Sequence, residues 1–245
     1  MFSFQNGQND LMMKFKLTFL FCLFFIQWAI TQSTDKKIHF GFSLTPQIGM
    51  AQFKSELVAE NQSGISYILG GDLLIDLSPK TQFITGLMLH HVKLKYRDYS
   101  PLFPDDVDEF GNALIYKSYW DFNYGDLFIG IPVNLKIKLN SSEKANHFFL
   151  NGGCKVQHLL LNSGYVILNE SGHLQEKRDP DQYYFGFQKT WLLPNVGFGY
   201  EFTLGKGKFS IQPDYEFSLS KIFRKKYSID ANGYVRFLGL RLAYY

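Results

Sequence analysis

From residue 38 onward the sequence keeps returning to strict two-residue alternation, and no apolar run long enough for a membrane helix follows residue 32. Alternation of this kind puts apolar side chains on one face of a strand and small or polar ones on the other. The clearest case is 209–219, where Phe209, Ile211, Pro213, Tyr215, Phe217 and Leu219 alternate with Ser210, Gln212, Asp214, Glu216 and Ser218. Before it, Leu192, Pro194, Val196, Phe198, Tyr200, Phe202 and Leu204 oppose Asn195, Gly197, Gly199, Glu201 and Thr203, and 205–207 is a hairpin turn.

The same pattern recurs along the chain. Leu238, Leu240, Leu242 and Tyr244 oppose Phe237, Gly239, Arg241 and Ala243; Leu127, Ile129, Ile131, Val133, Leu135, Ile137 and Leu139 oppose Asp126, Gly130, Asn134, Lys136 and Lys138. Ile38, Phe40, Phe42, Leu44, Ile48 and Met50 oppose His39, Gly41, Ser43, Thr45, Gln47 and Gly49; Tyr67, Leu69, Leu73, Ile75 and Leu77 oppose Asp72 and Asp76. With weaker strands at 82–95 and 147–161, eight are expected, each long enough for the roughly 9–11 tilted residues that cross a bilayer.

Connections alternate in length. Those at 78–80, 140–146 and 205–207 are short, whereas 100–118 and 162–184 are long, the asymmetry of periplasmic turns and external loops. A bilayer offers no water to backbone groups and admits only helices or closed barrels. The fold expected is therefore all-β: an eight-stranded antiparallel up-and-down transmembrane barrel in a bacterial outer membrane. The composition fits, with 25 Phe and 15 Tyr. Tyr119, Trp120, Trp191, Tyr200, Tyr244 and Tyr245 are expected near strand ends, where amphipathic rings favour the headgroup level.

Residues 1–32 read as a targeting segment. Lys14 and Lys16 precede the apolar run 17–26, followed by Ala29, Thr31 and Gln32, the order of a secretory signal. The run is shorter than the ~20 residues of a spanning helix, although a retained N-terminal anchor is the alternative. Translation could start at Met1, Met12 or Met13. The barrel domain is then 33–245. Cys22 follows the bulky Phe21 and makes a poor acylation site, and removal of the segment leaves Cys154 without an intrachain partner.

The segment LFIGIPVNLKIK at 127–138 resembles the Ile-Pro-Val strand of the PorT-like outer-membrane β-barrel proteins of Bacteroidetes. HFGFSLTPQIG, GGDLLIDLSPKTQFITGLML and LLPNVGFGYEF follow that family's order, over about 38–245. The resemblance implies a signal peptide, an eight-stranded barrel and a protein-secretion context. Many relatives carry Glu before the Ile-Pro pair where this chain has Gly130, so no role of that acid transfers.

Residues that could carry chemistry are few. Asp105, Asp106, Asp108 and Glu109 with Gly111 and Asn112 suggest a calcium loop, but Phe110 and Lys117 stand where an EF-hand needs oxygen ligands. His90, His91 and His158, with Ser163, are the candidates for an outer-membrane hydrolase, yet adjacent histidines on a strand face opposite ways. No G-x-S-x-G, H-E-x-x-H or phosphate-loop motif occurs. A non-enzymatic protein without a cofactor or bound metal is expected, with a structural, assembly or interaction role.

Lys221, Arg224, Lys225 and Lys226 cluster in the last external loop and are candidate contacts for lipid phosphate. The partners expected are outer-membrane lipid and a protein reached through the external loops near 101–112 and 162–184. Nucleic acid is not expected, since the net charge is only +3 and no basic stripe forms. Asp72, Asp76, Lys136, Lys138, Lys155, Glu201, Asp214, Glu216 and Arg241 should face inward, filling the lumen as a packed polar network instead of a pore. The rival arrangement is a soluble, lipocalin-like barrel with these faces reversed.

Overall fold

The computed structural model describes residues 37–53, 58–99, 119–139, 146–163, 165–170, 173–178, 185–219, 223–225 and 233–245. Long barrel strands form wherever the alternation is sustained: β1 (Ile38–Phe53), β2 (Val58–Ser78), β3 (Thr81–Tyr99), β4 (Tyr119–Lys138), β5 (His147–Leu161), β9 (Thr190–Leu204), β10 (Gly207–Phe217) and β12 (Gly233–Tyr244). Each pairs antiparallel with the next, and β12 returns to β1, so these eight strands close on themselves. Closure removes every edge that the bilayer would leave without hydrogen-bond partners.

Four shorter strands belong to the loops: β6 (Tyr165–Glu170), β7 (His173–Arg178), β8 (Phe185–Phe187) and β11 (Phe223–Lys225). β6 pairs with the upper part of β4, where β5 has ended, and β7 pairs with β6. β8 pairs with β11 as a separate ribbon. The sequence expectation of eight strands thus holds for the barrel and omits the strands beyond it.

The tight turns sit together at one end. Ser78 Oγ accepts from the Thr81 amide at 3.0 Å between β2 and β3, and Gly205 takes a positive φ of 63° in the two-residue β9–β10 turn, as such hairpins require.

The expected faces are the observed ones. Ile38, Phe40, Phe42, Leu44, Ile48 and Met50 of β1 are exposed, as are Val196, Phe198 and Tyr200 of β9 and Leu238, Leu240 and Tyr244 of β12. Their alternates, among them Gln47, Asn195, Glu201 and Arg241, are buried. Polar inside and apolar outside is the arrangement of an outer-membrane-type β-barrel and the reverse of a lipocalin. On β1 the apolar band runs from Ile38 to Met50 and on β4 from Leu127 to Ile137, which at ~3.3 Å per residue and a tilt near 40° gives a height of roughly 25–30 Å. That matches a hydrocarbon layer.

The strands differ greatly in length. β2, β3 and β4 have 21, 19 and 20 residues, whereas β10 and β12 have 11 and 12. The turn ends are level, so the excess stands at the loop end: β2, β3 and β4, joined by β6 and β7, rise above the apolar band as a wall on one side.

Candidate functional site: a closed lumen and a loop-end wall

The turn half of the lumen is polar and ion-paired. Arg241 of β12 donates to Asp72 of β2 at 2.7 Å, reaching over β1. Lys136 of β4 donates to Glu201 of β9 over β5, and His147 lies 3.1 Å from the other oxygen of Glu201. Lys155 donates to Glu216 and stands 3.9 Å from Asp214. Asp76 accepts from Gln82 at 2.7 Å and contacts His39 at 3.3 Å near the mouth. Pairs with mixed signs are the way a narrow interior accommodates charge, since an unpaired buried ion is far costlier.

The loop half is largely apolar, although Ser66, Asp126 and Ser218 are buried there too, and here the expectation of a wholly polar network is corrected. Ala51, Val92, Leu94, Tyr124, Phe128, Trp191, Leu193, Val235 and Phe237 form one buried apolar cluster inside the barrel. Trp191 is fully buried, with its ring centroid 4.5 Å from that of Phe128 and its Nε1 donating to Gln188 O at 2.7 Å. It is therefore a lumen plug and not an interfacial ring. The alternation missed this because it was read for polarity, whereas direction alone decides which side chain points inward; β3 sends Ile84, Met88, Val92 and Leu94 inward.

His90 joins the two halves. Its Nδ1 donates to Gln157 Oε1 at 2.8 Å while Gln47 Nε2 donates to its Nε2, and its ring meets Phe237 edge-on at 5.1 Å. This pairing fixes a neutral tautomer. At the turn end Tyr245 turns inward: Lys136 Nζ lies 5.4 Å from its ring, and a Cβ on Gly41 would stand 2.3 Å from that ring. Aromatic side chains thus stop the lumen at both ends, and about eight strands enclose no more than side chains fill.

Tyr200 and Tyr244 do face outward, as expected of interfacial rings. They belong to a larger girdle at the turn end. Phe42, Tyr244, Phe209 and Phe202 stand in register across β1, β12, β10 and β9, and Phe148 of β5 continues the row beside Tyr200 at 4.9 Å. Such a belt marks a membrane–water boundary. Tyr119 and Trp120 lie on β4 at the top of the wall, with side chains outside the described set.

The histidines do not assemble a hydrolase centre. His90 points into the lumen, His91 faces outward and stacks on Tyr67 at 4.8 Å, and His158 is exposed and bonded to Thr190 Oγ1 at 2.9 Å. Ser163 donates its hydroxyl to Gly125 O instead of to an imidazole. Among the described residues no three metal-binding side chains cluster. The acidic run 105–109, residues 1–36, Lys221 and Lys226 lie outside the described residues. Arg224 and Lys225 occupy β11 opposite Gly186 and Phe185, and their side chains are likewise outside that set.

No family model matches the chain, and no curated protein matches it. Solved structures similar to it are small β-barrels. Neisserial surface protein A shows 10% identity and a TM-score of 0.41, with 84% of this chain and 97% of that one covered. Ail, the attachment invasion locus protein of Yersinia pestis, shows 12% identity and a TM-score of 0.32, with 84% and 96% covered. The N-terminal β-barrel domain of Pseudomonas aeruginosa OprF shows 10% identity and a TM-score of 0.29, with 82% and 96% covered.

Proposed function

We propose that the chain is a non-enzymatic outer-membrane β-barrel that acts through its loop-end surface, in a structural, assembly or interaction role. The observation that supports this is the lumen: ion pairs and aromatic rings occupy it among the described residues, which favours a lumen that maintains the barrel over one that conducts or transforms a solute. What remains for function is the wall of β2, β3, β4, β6 and β7 with the segments between them. Connecting segments on a rigid scaffold are where binding residues usually lie.

A finer reading places the protein among PorT-like barrels and in a secretion context. It is supported by the Ile-Pro-Val strand, which here is the continuous 127–138 portion of β4, and by the expected signal at 1–32. The deciding experiment is fractionation of the native host with SDS-PAGE of the mature protein, boiled and unboiled. Outer-membrane recovery with migration that shifts on heating is the expected result. A detergent-free soluble protein refutes the reading. Alanine at His90, His91 and His158 is expected to leave every lipid species of the membrane unchanged; a missing or new lipid species would restore the hydrolase alternative.

A further inference from the structure

We propose that the outer face of the wall, just above the apolar band, binds a phosphate-bearing lipid headgroup of the outer leaflet through Lys93 and Lys95. This rests on the membrane-barrel reading and names a ligand for the wall. The outward column of β3 carries the argument. Leu87 and Leu89 are exposed in the band, His91 stacks on Tyr67 at its upper margin, and Lys93 and Lys95 come next on the same face. Alternate residues on a strand stand about 7 Å apart, a spacing at which two ammonium groups can share one phosphate.

Both lysines are on the outward face, Lys93 exposed and Lys95 half-buried. Lys93 stands opposite Gly125 of β4, which presents no side chain, and Lys95 stands between the amides Gln62 and Asn123. On the β2 side the register jumps between Gln62 and Tyr67, and Ser66 Oγ accepts from the Lys93 amide at 2.9 Å in place of a backbone carbonyl. Such a bulge bends the strand as it leaves the band. Two acids stand one step higher on the neighbouring strands, Glu60 and Asp121, both opposite Arg97, and Asp121 is bidentate to that arginine at 2.7 and 3.3 Å. A lipid with its chains against Leu87, Leu89 and Ile65 brings its phosphate to this level, where basic side chains are attracted to anionic headgroups. A free phosphate gains nothing from the apolar column below.

The test uses the mature barrel in phosphatidylcholine nanodiscs with and without diphosphorylated lipid A, followed by native mass spectrometry of the protein released with its bound lipid. Retention of lipid A by the parent is expected. K93Q/K95Q is expected to retain about 25-fold less, at about fivefold per lysine, while the turn-end variant K206Q retains as much as the parent. Heat-modifiable migration of every variant keeps a folding failure apart from a binding failure. Undiminished retention by a folded K93Q/K95Q overturns the proposal, as does an equal loss in K206Q. Displacement of lipid A by inorganic phosphate shows a free-anion site and also overturns it. A barrel that never reaches the membrane refutes the parent reading, and that outcome is distinguishable by fractionation.

Discussion

Replacing Asp72 by Ala removes the carboxylate that the Arg241 guanidinium bonds inside the barrel and leaves Asp214 as a more distant counter-charge. The pair spans the closing seam, since Asp72 belongs to β2 and Arg241 to the last strand, with β1 between them. Their side chains are 2% and 6% exposed, so water does little to compensate for the missing partner. A lysine could shed its proton on losing its carboxylate, but arginine cannot. Removing one member of a buried pair costs about 3–5 kcal/mol, whereas removing both with apolar replacements of similar volume is often nearly neutral. D72A is therefore expected to lose about 3–5 kcal/mol and D72L/R241M to recover most of it. The assay is urea unfolding of the detergent-folded barrel, followed by the combined emission of Trp120 and Trp191 and by the folded band in unboiled SDS-PAGE. A loss below about 1 kcal/mol in D72A, the range of an exposed ion pair, would refute the claim that this seam contact is desolvated.

Two further substitutions probe the stoppers. Gly41→Val is expected to lower the unfolding midpoint sharply, because even a Cβ there would stand 2.3 Å from the Tyr245 ring and 2.4 Å from Tyr244 O; since the second obstacle is backbone, adding Y245A should restore only part of the loss in the same urea titration. Trp191→Ala is expected to cost about 3–5 kcal/mol as a large-to-small core change, yet to produce no single-channel current in a planar bilayer, because the ion-paired half of the lumen still closes the path.

The architecture was legible because a membrane barrel writes its two solvents directly into alternate residues. Phe209 to Leu219 announces both faces of β10 without any tertiary information, and the inward position of Asp72, Lys136, Lys155, Glu201, Asp214, Glu216 and Arg241 follows from that period alone. Which acid meets which base was not legible: Lys136 and Glu201 are 65 positions apart and sit on strands separated by β5, so their meeting depends on register and on Lys136 reaching over the Phe149 ring of that strand. The apolar plug was hidden for a different reason. Trp191, Phe128 and Val235 look like lipid-facing residues to a reading by polarity, and only their phase relative to Leu192, Ile129 and Arg236 shows that they point inward. The wall was hidden because a strand that leaves the membrane keeps its alternation while its outward residues turn from apolar to charged, as β3 does between Leu89 and Lys93.

That change along β3 ties the fold to the functional proposal. A barrel needs only the residues within the hydrocarbon layer to satisfy its backbone, yet β2, β3 and β4 continue for about seven residues beyond it, or roughly 23 Å along the strand. Hydrogen bonding runs unbroken from Lys93↔Gly125 to Tyr99↔Tyr119, and the Arg97–Asp121 bridge fixes two of the long side chains. Membrane insertion does not require this ordering, which carries a conformational-entropy cost for every residue held. Ion pairs and aromatic rings occupy the lumen among the described residues, so the proposed role falls on the surface that the extra strand length creates. It is a surface raised above the bilayer, and its lower margin is where the proposed lipid headgroup would bind, with its upper part left for the proposed protein partner.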